Sequence, residues 1–310
     1  MRVLEIIAPV LCMLALGLAC KKWKVLSGEG IANMKALVTG ICLPVAIFHA
    51  LATAAYSAGT WLLVGIMLIM LVVSFLLGFA MKPLLKGRFQ KYLPFMVSVY
   101  EGGLMAYPLF ASLCGSENLS QIAVLDIAGL LFGFSVYMGL LAQVEDGQPI
   151  DPGKLLQSAL HSPPFLASVL GILAGLTGII RALLASPWGG VYTAAEGMLT
   201  AAMTPIILLV VGYSMSLSRE LLRPCLQTIL LRFLLQALMA AGVLLAVHTF
   251  IGSSRVVDIA IVCYMSAPAT FSMQTFLKTE AGGTYVSTTN SLYCIVSLLV
   301  YLVLAVTLAP

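Results

Sequence analysis

Glu101, Gly102, Gly103 and Pro108 fall within eight positions of an otherwise apolar stretch, VYEGGLMAYPLF, residues 99–110. A carboxylate at bilayer depth costs about 2.5–3.5 kcal/mol unless it is protonated, paired or holding a cation. Each of those conditions is a way to couple an ion to movement. Two adjacent glycines weaken a helix, and a proline removes a backbone donor and crowds the preceding turn. A second stretch, YMSAPATFSMQ at 264–274, carries Pro268 among Ser266, Ala269 and Thr270, with Gln274 six residues on. A helix that restarts after a break presents a partly positive N-terminus. Two such breaks facing one spot suit an anion. The candidate substrate-binding residues are therefore Gly102, Gly103, Tyr107, Pro108, Ser266, Pro268, Ala269 and Thr270. Glu101, Asp126 and Gln274 are the candidates for carrying a proton or sodium ion. Simple proline kinks, an acid facing interfacial water and a helix–helix hydrogen bond stay open as alternatives.

Other polar residues carry weaker expectations. Asn290, beside Ser287, Thr288 and Thr289, marks a polar stripe that faces a cavity or glues helices. Glu196 reads as interfacial, and Asp258 with Arg255 as an outer-loop pair. His49, His161 and His248 have no partner at metal-ligand spacing, so no metal role is assigned. No His/Asp/Ser constellation is visible and no P-loop, so neither an enzyme nor direct ATP use is expected. No cofactor is expected beyond a coupling sodium ion or proton.

The elements that must position these residues are membrane spans. The chain has 310 residues, of which 61% are apolar and 9% charged. Its mean hydropathy is +1.07. Soluble domains carry about 25% charged residues, so this surface is not built for water. Charges and turn residues cut the chain into ten apolar segments, at 3–20, 31–55, 60–81, 92–114, 120–143, 157–180, 190–216, 224–250, 256–277 and 284–308. The lysines at 21, 22 and 24 follow the first segment rather than precede it, which suits a true span and not a cleaved signal. The seven cysteines are scattered through apolar runs without C-x-x-C spacing.

Basic residues orient the spans. Lys21, Lys22, Lys24, Lys82, Lys86, Arg88, Lys91, Lys154, Arg219, Arg223 and Lys278 fall in loops on one side, and Arg2, Arg181 and Arg255 on the other. The richer side is cytoplasmic. Both termini are then extracytoplasmic, in a multi-pass protein of the cell membrane. Lys35 and Arg232 lie inside spans and are expected to snorkel to the cytoplasmic surface. The longest polar connection, QVEDGQPIDPGK at 143–154, divides ten spans into five plus five. Residues 1–142 form the first five-helix repeat, 143–156 a cytoplasmic linker, and 157–310 the second repeat. Five is odd, so the halves enter the membrane with opposite polarity, as in an inverted repeat. The broken spans are then the fourth and the ninth, matching positions in the two halves.

These stretches resemble the auxin efflux carrier family of membrane transporters, in its prokaryotic form. Residues 14–52, with Gly17 and Pro44, resemble the family's opening. HSPPFLASVLGILAGLTGI at 161–179 resembles its sixth span, and MTPIILLVVGYSMSL at 203–217 its proline- and leucine-rich run. SAPATFSMQTFLKTEAGG at 266–283 resembles its broken ninth span. The resemblance implies an all-α integral membrane fold of ten helices in an inverted 5+5 repeat, with crossed broken helices 4 and 9, similar to bile-acid transporters and NhaA-type antiporters. It implies a scaffold of spans 1, 2, 6 and 7, a mobile part of spans 3–5 and 8–10, and a homodimer. The family usually has asparagine before the glycines of span 4. Here that position is Glu101, which puts auxin-like recognition in doubt and favours cation coupling.

The function expected is secondary active transport of a small organic anion, a carboxylate, by alternating access, as symport or antiport. A passive anion channel and a membrane sensor that binds without transport are the alternatives. The partners expected are the organic anion, the lipid bilayer and a second copy of the chain, with no nucleic acid.

Overall fold

The computed structural model describes residues 2–85, 87–146, 153, 156–157, 160–214, 221–252, 254–271, 273, 277 and 279–307. These residues are almost entirely helical. In chain order the principal helices are α1 (Arg2–Lys22), α2 (Gly28–Thr53), α3 (Ala58–Ala80), α4 (Leu93–Met96) and α5 (Gly102–Cys114). They continue as α6 (Leu119–Phe132), α7 (Met138–Asp146), α8 (Pro163–Thr177), α9 (Ile179–Leu184) and α10 (Gly189–Tyr213). The last three are α11 (Leu222–Phe250), α12 (Arg255–Met265) and α13 (Glu280–Thr307). Among the described residues, α2, α3, α10, α11 and α13 are each long and apolar enough to cross a membrane, and α5 and α8 are shorter apolar helices. The chain is thus an all-α protein with membrane-spanning helices. Helix α7 runs to Asp146, past the expected end of the first half at 142. Most of the expected linker, and Gln274 with it, lies outside the described residues.

Local chemistry sets the helix starts. Ser57 caps α3 by accepting from the Thr60 amide at 3.2 Å, while Thr60 answers with its own hydroxyl on the Ser57 amide. Within α2, the turn at Val38–Cys42 is a wide π turn placed just before Pro44. A wide turn makes room for the ring that would otherwise press on the preceding carbonyl.

Two helix pairs form a framework: α1 packs along the second part of α10, and α2 packs along α8. The first pair approaches backbone to backbone. A Cβ on Gly17 would lie 2.2 Å from the Leu209 carbonyl oxygen, and one on Gly212 would lie 2.2 Å from that of Leu14. Small residues on both faces allow contact this close without lipid between the helices.

The chain opens twice. Between α4 and α5 it is non-helical at Val97–Glu101, and after α12 it leaves the helix at Ser266 and runs extended through Ala269. The first opening is displaced from its expected position at 101–108. Gly102–Ala106 forms a π turn that leads directly into Tyr107–Cys114, with Pro108 buried in its first turn. A proline near a helix start, behind a wide turn, breaks nothing. The unwinding occurs instead on the N-terminal side of the two glycines.

Candidate functional site

The two openings meet. Tyr100 and Ala269 pair as an antiparallel bridge, and the Glu101 amide donates to the Pro268 carbonyl at 2.8 Å. Backbone groups freed by each break are therefore satisfied by the other, as a site away from water requires. Asn290 of α13 secures the contact by donating to the Ala269 carbonyl at 3.0 Å, and Ser297 donates to the Ser266 carbonyl at 2.6 Å. The polar stripe on α13 is thus divided: Asn290 holds the break, Thr288 and Thr289 are buried, and Ser287 lines a small cavity.

Glu101 is buried at this crossing and bridges both restarted segments. One carboxylate oxygen accepts from the Leu104 amide at 3.2 Å, at the start of α5. The other accepts from the Phe271 amide at 2.6 Å, just beyond the second break. A negative side chain thus sits against two backbone N–H groups, one of them at the positive start of α5.

Arg232 of α11 does the complementary job. Sequence reading sends it to the cytoplasmic surface, but it is 1% exposed and reaches inward. Its guanidinium donates to the Met96 carbonyl, the last residue of α4, and to the Ala267 carbonyl at 2.7 Å, just past α12. It also lies over the rings of Tyr100 and Tyr293, at 5.2 and 5.0 Å from their centroids. A cation at the C-terminal ends of α4 and α12 and a carboxylate at the start of α5 offset the dipoles of those three helices. This geometry explains why Arg232 does not snorkel: the carbonyls it binds are themselves unpaired at that depth. Gln236, one turn on, donates to the Val97 carbonyl and accepts from the Tyr100 hydroxyl.

Asp126 of α6 is buried beside this crossing. It accepts from Tyr264 of α12 at 2.7 Å and from Tyr107 of α5 at 3.3 Å. Gly102 makes the approach possible, since a Cβ there would lie 2.9 Å from Asp126 Oδ2. A cavity of about 370 Å³ opens onto the crossing, lined by Glu101, Gly102, Gly103, Asp126 and Thr270 and, from α2, by Lys35. A second cavity, of about 460 Å³, lies toward the other end of α2 and is lined by His49, Glu117, Ser120 and Glu196.

The candidate residues separate accordingly. Glu101, Asp126, Gly102, Gly103 and Thr270 line the first cavity. Pro268 and Ala269 serve through backbone carbonyls, and Tyr107 is directed at Asp126. Ser266 turns back to the Cys263 carbonyl at 3.1 Å, and Pro108 packs in the body of α5. Asp258 pairs with His248 at 2.8 Å rather than with Arg255, because its place in the first turn of α12 faces the end of α11. Sequence reading missed Arg232 and Gln236 as site residues, although a lone arginine inside the apolar run ILLRFLLQ was the available signal. It also missed Lys35 as a site residue, although Lys35 is exposed and lines the cavity.

Residues 2–152 match the family model described as a membrane transport protein. The match ends before 161–179, 203–217 and 266–283, so it carries the first half of the chain alone. No curated protein matches the chain.

Proposed function

We propose that this chain, whose residues 2–152 match the membrane transport protein family, is a member of the auxin efflux carrier family and a secondary carrier of a small organic carboxylate, coupled to a proton or sodium ion. The observation that carries this reading is the paired break, with Glu101 on the amides of Leu104 and Phe271 and Arg232 on the carbonyls that end α4 and α12. Broken backbone at membrane depth is tolerated only where it is buried in protein or lines a cavity. Here it does both.

The two cavities support alternating access. Both lie between the same groups of helices, with α2 and its partners α8 or α10 on one side and α5 with α6 on the other. A rocking motion of the α5–α6 group along α2 closes one cavity as the other opens. Glu101 and Asp126 flank Gly102, so a proton or sodium ion taken up there changes the charge that the substrate meets. The framework supports the inverted repeat. If span n corresponds to span n+5, exchanging the halves turns the α1–α10 contact into the α8–α2 contact. On this reading the chain makes ten crossings in the cell membrane, with both termini outside, and dimerises through its framework.

Counterflow in liposomes tests the proposal. The wild type exchanges a labelled carboxylate against an unlabelled one inside, and an imposed proton or sodium gradient drives net uptake. Glu101→Gln retains exchange and loses the response to the gradient. Conductive flux without counterflow would identify a channel. Binding without flux would identify a sensor.

A further inference from the structure

The crossing was expected to present its amides to an anionic substrate, but Glu101 already occupies the Leu104 and Phe271 amides with its own carboxylate. A second carboxylate brought to that point meets like charge at short range in a medium of low dielectric. The cavity holds one alternative. Lys35 is the single basic side chain lining it among the described residues, and it also lines the adjoining cavity of about 80 Å³ with Ser287 and Ser291 of α13. Lys35 forms no salt bridge among the described residues. Its ammonium stands 5.8 Å from the centroid of the Phe271 ring, whose own backbone amide binds Glu101.

We infer that Lys35 is the residue that binds the substrate's carboxylate, and that the site takes a small monocarboxylate. This rests on the carrier reading above and names the contact and the substrate class within it. Lys35 offers one positive charge and the two acids across the cavity offer none, so one carboxylate of a ligand finds a partner there and a second does not. A dicarboxylate engaging Lys35 would turn its second carboxylate toward Glu101 or Asp126. The ligand would lie against α2 of the framework at one end and against the crossing at the other. It thereby bridges the two groups of helices that must move past each other, and Phe271 ties its arrival to Glu101.

The test uses purified full-length protein in liposomes, with lactate and pyruvate as monocarboxylate probes and malonate and succinate as dicarboxylate probes. The wild type transports the monocarboxylates with the higher apparent affinity. Lys35→Gln weakens that affinity about 10–100-fold, the worth of one charge-assisted hydrogen bond. Lys35→Arg restores most of the affinity, which a merely structural role would not predict. Lys35 is exposed, so both variants fold, and unchanged melting without ligand confirms it. Unchanged monocarboxylate affinity in Lys35→Gln overturns the inference and leaves the carrier reading standing. A preference for dicarboxylates overturns the substrate class. A wild-type protein that moves no carboxylate overturns the inference and the carrier reading together.

Discussion

Replacing Arg232 by methionine keeps an apolar stem of similar length and removes the guanidinium from the crossing. Two carbonyls then lose their donor, those of Met96 and Ala267. The contact to the Val99 carbonyl, at 3.5 Å, is too long to add much. Hydrogen bonds from a charged donor contribute about 1.5–3 kcal/mol each, so the two are worth about 3–6 kcal/mol. The rings of Tyr100 and Tyr293 add about 1–2 kcal/mol together. Against this, methionine relieves the desolvation of a buried cation, a cost of several kcal/mol. The net expectation is a loss of about 2–4 kcal/mol, seen as a melting temperature about 4–10 °C lower in detergent. Arg232→Lys keeps the charge but cannot fork to both carbonyls, and should fall between the two. Transport should drop in both variants, because the two half-helices no longer share one cation. A methionine variant as stable as wild type, or more stable, would show that desolvation outweighs the carbonyl contacts and would refute the role assigned to Arg232.

Three further outcomes follow from neighbouring contacts. Gly102→Ala puts a methyl 2.9 Å from the Asp126 carboxylate and should cost about 1–3 kcal/mol, with substrate affinity falling alongside stability; unchanged transport would show that Asp126 has room to move. Tyr264→Phe removes the 2.7 Å bond and leaves Asp126 with Tyr107 alone, so stability should fall by about 1–2 kcal/mol and the pH profile of transport should shift. An unchanged pH profile would exclude Asp126 from the coupling. Before α4, Lys91 binds Glu145 of α7 at 2.7 Å. Partial burial works to lower the Lys91 pKa, and its bonds to Glu145 and Tyr92 outweigh that, leaving the value above the ordinary lysine value. A raised lysine pKa gives stability that is full below the ordinary value and is lost only as pH rises through the higher one. Glu145→Gln should therefore lower the melting temperature by about 1–3 °C, and equally at about pH 6 and pH 9. A deficit present at one of these pH values and absent at the other would contradict the assignment.

The sequence alone determined that this chain is built for lipid, because 61% apolar residues against 9% charged leave no other solvent for its surface. It also marked the neighbourhood of each break, though not the exact opening at Val97–Glu101, because glycine pairs, prolines and a lone acid in apolar runs are local signals carried by single residues. Gly17 was legible in the same way, as a small residue, though not the Leu209 carbonyl it approaches. Only the tertiary structure decided what each break binds. Glu101 and Phe271 are 170 positions apart, and so a carboxylate that binds the amides beside both breaks could not be told from one that faces water. Pro108 read as a break because local pattern does not reveal the π turn that accommodates it. Arg232 and Lys35 read alike as cations near a membrane edge. Their separation, one clamped on buried carbonyls and one standing in an open cavity, depends on which helices pack beside α11 and α2. Charge placement at depth is a property of neighbours distant in the chain, and spacing along one helix does not encode it.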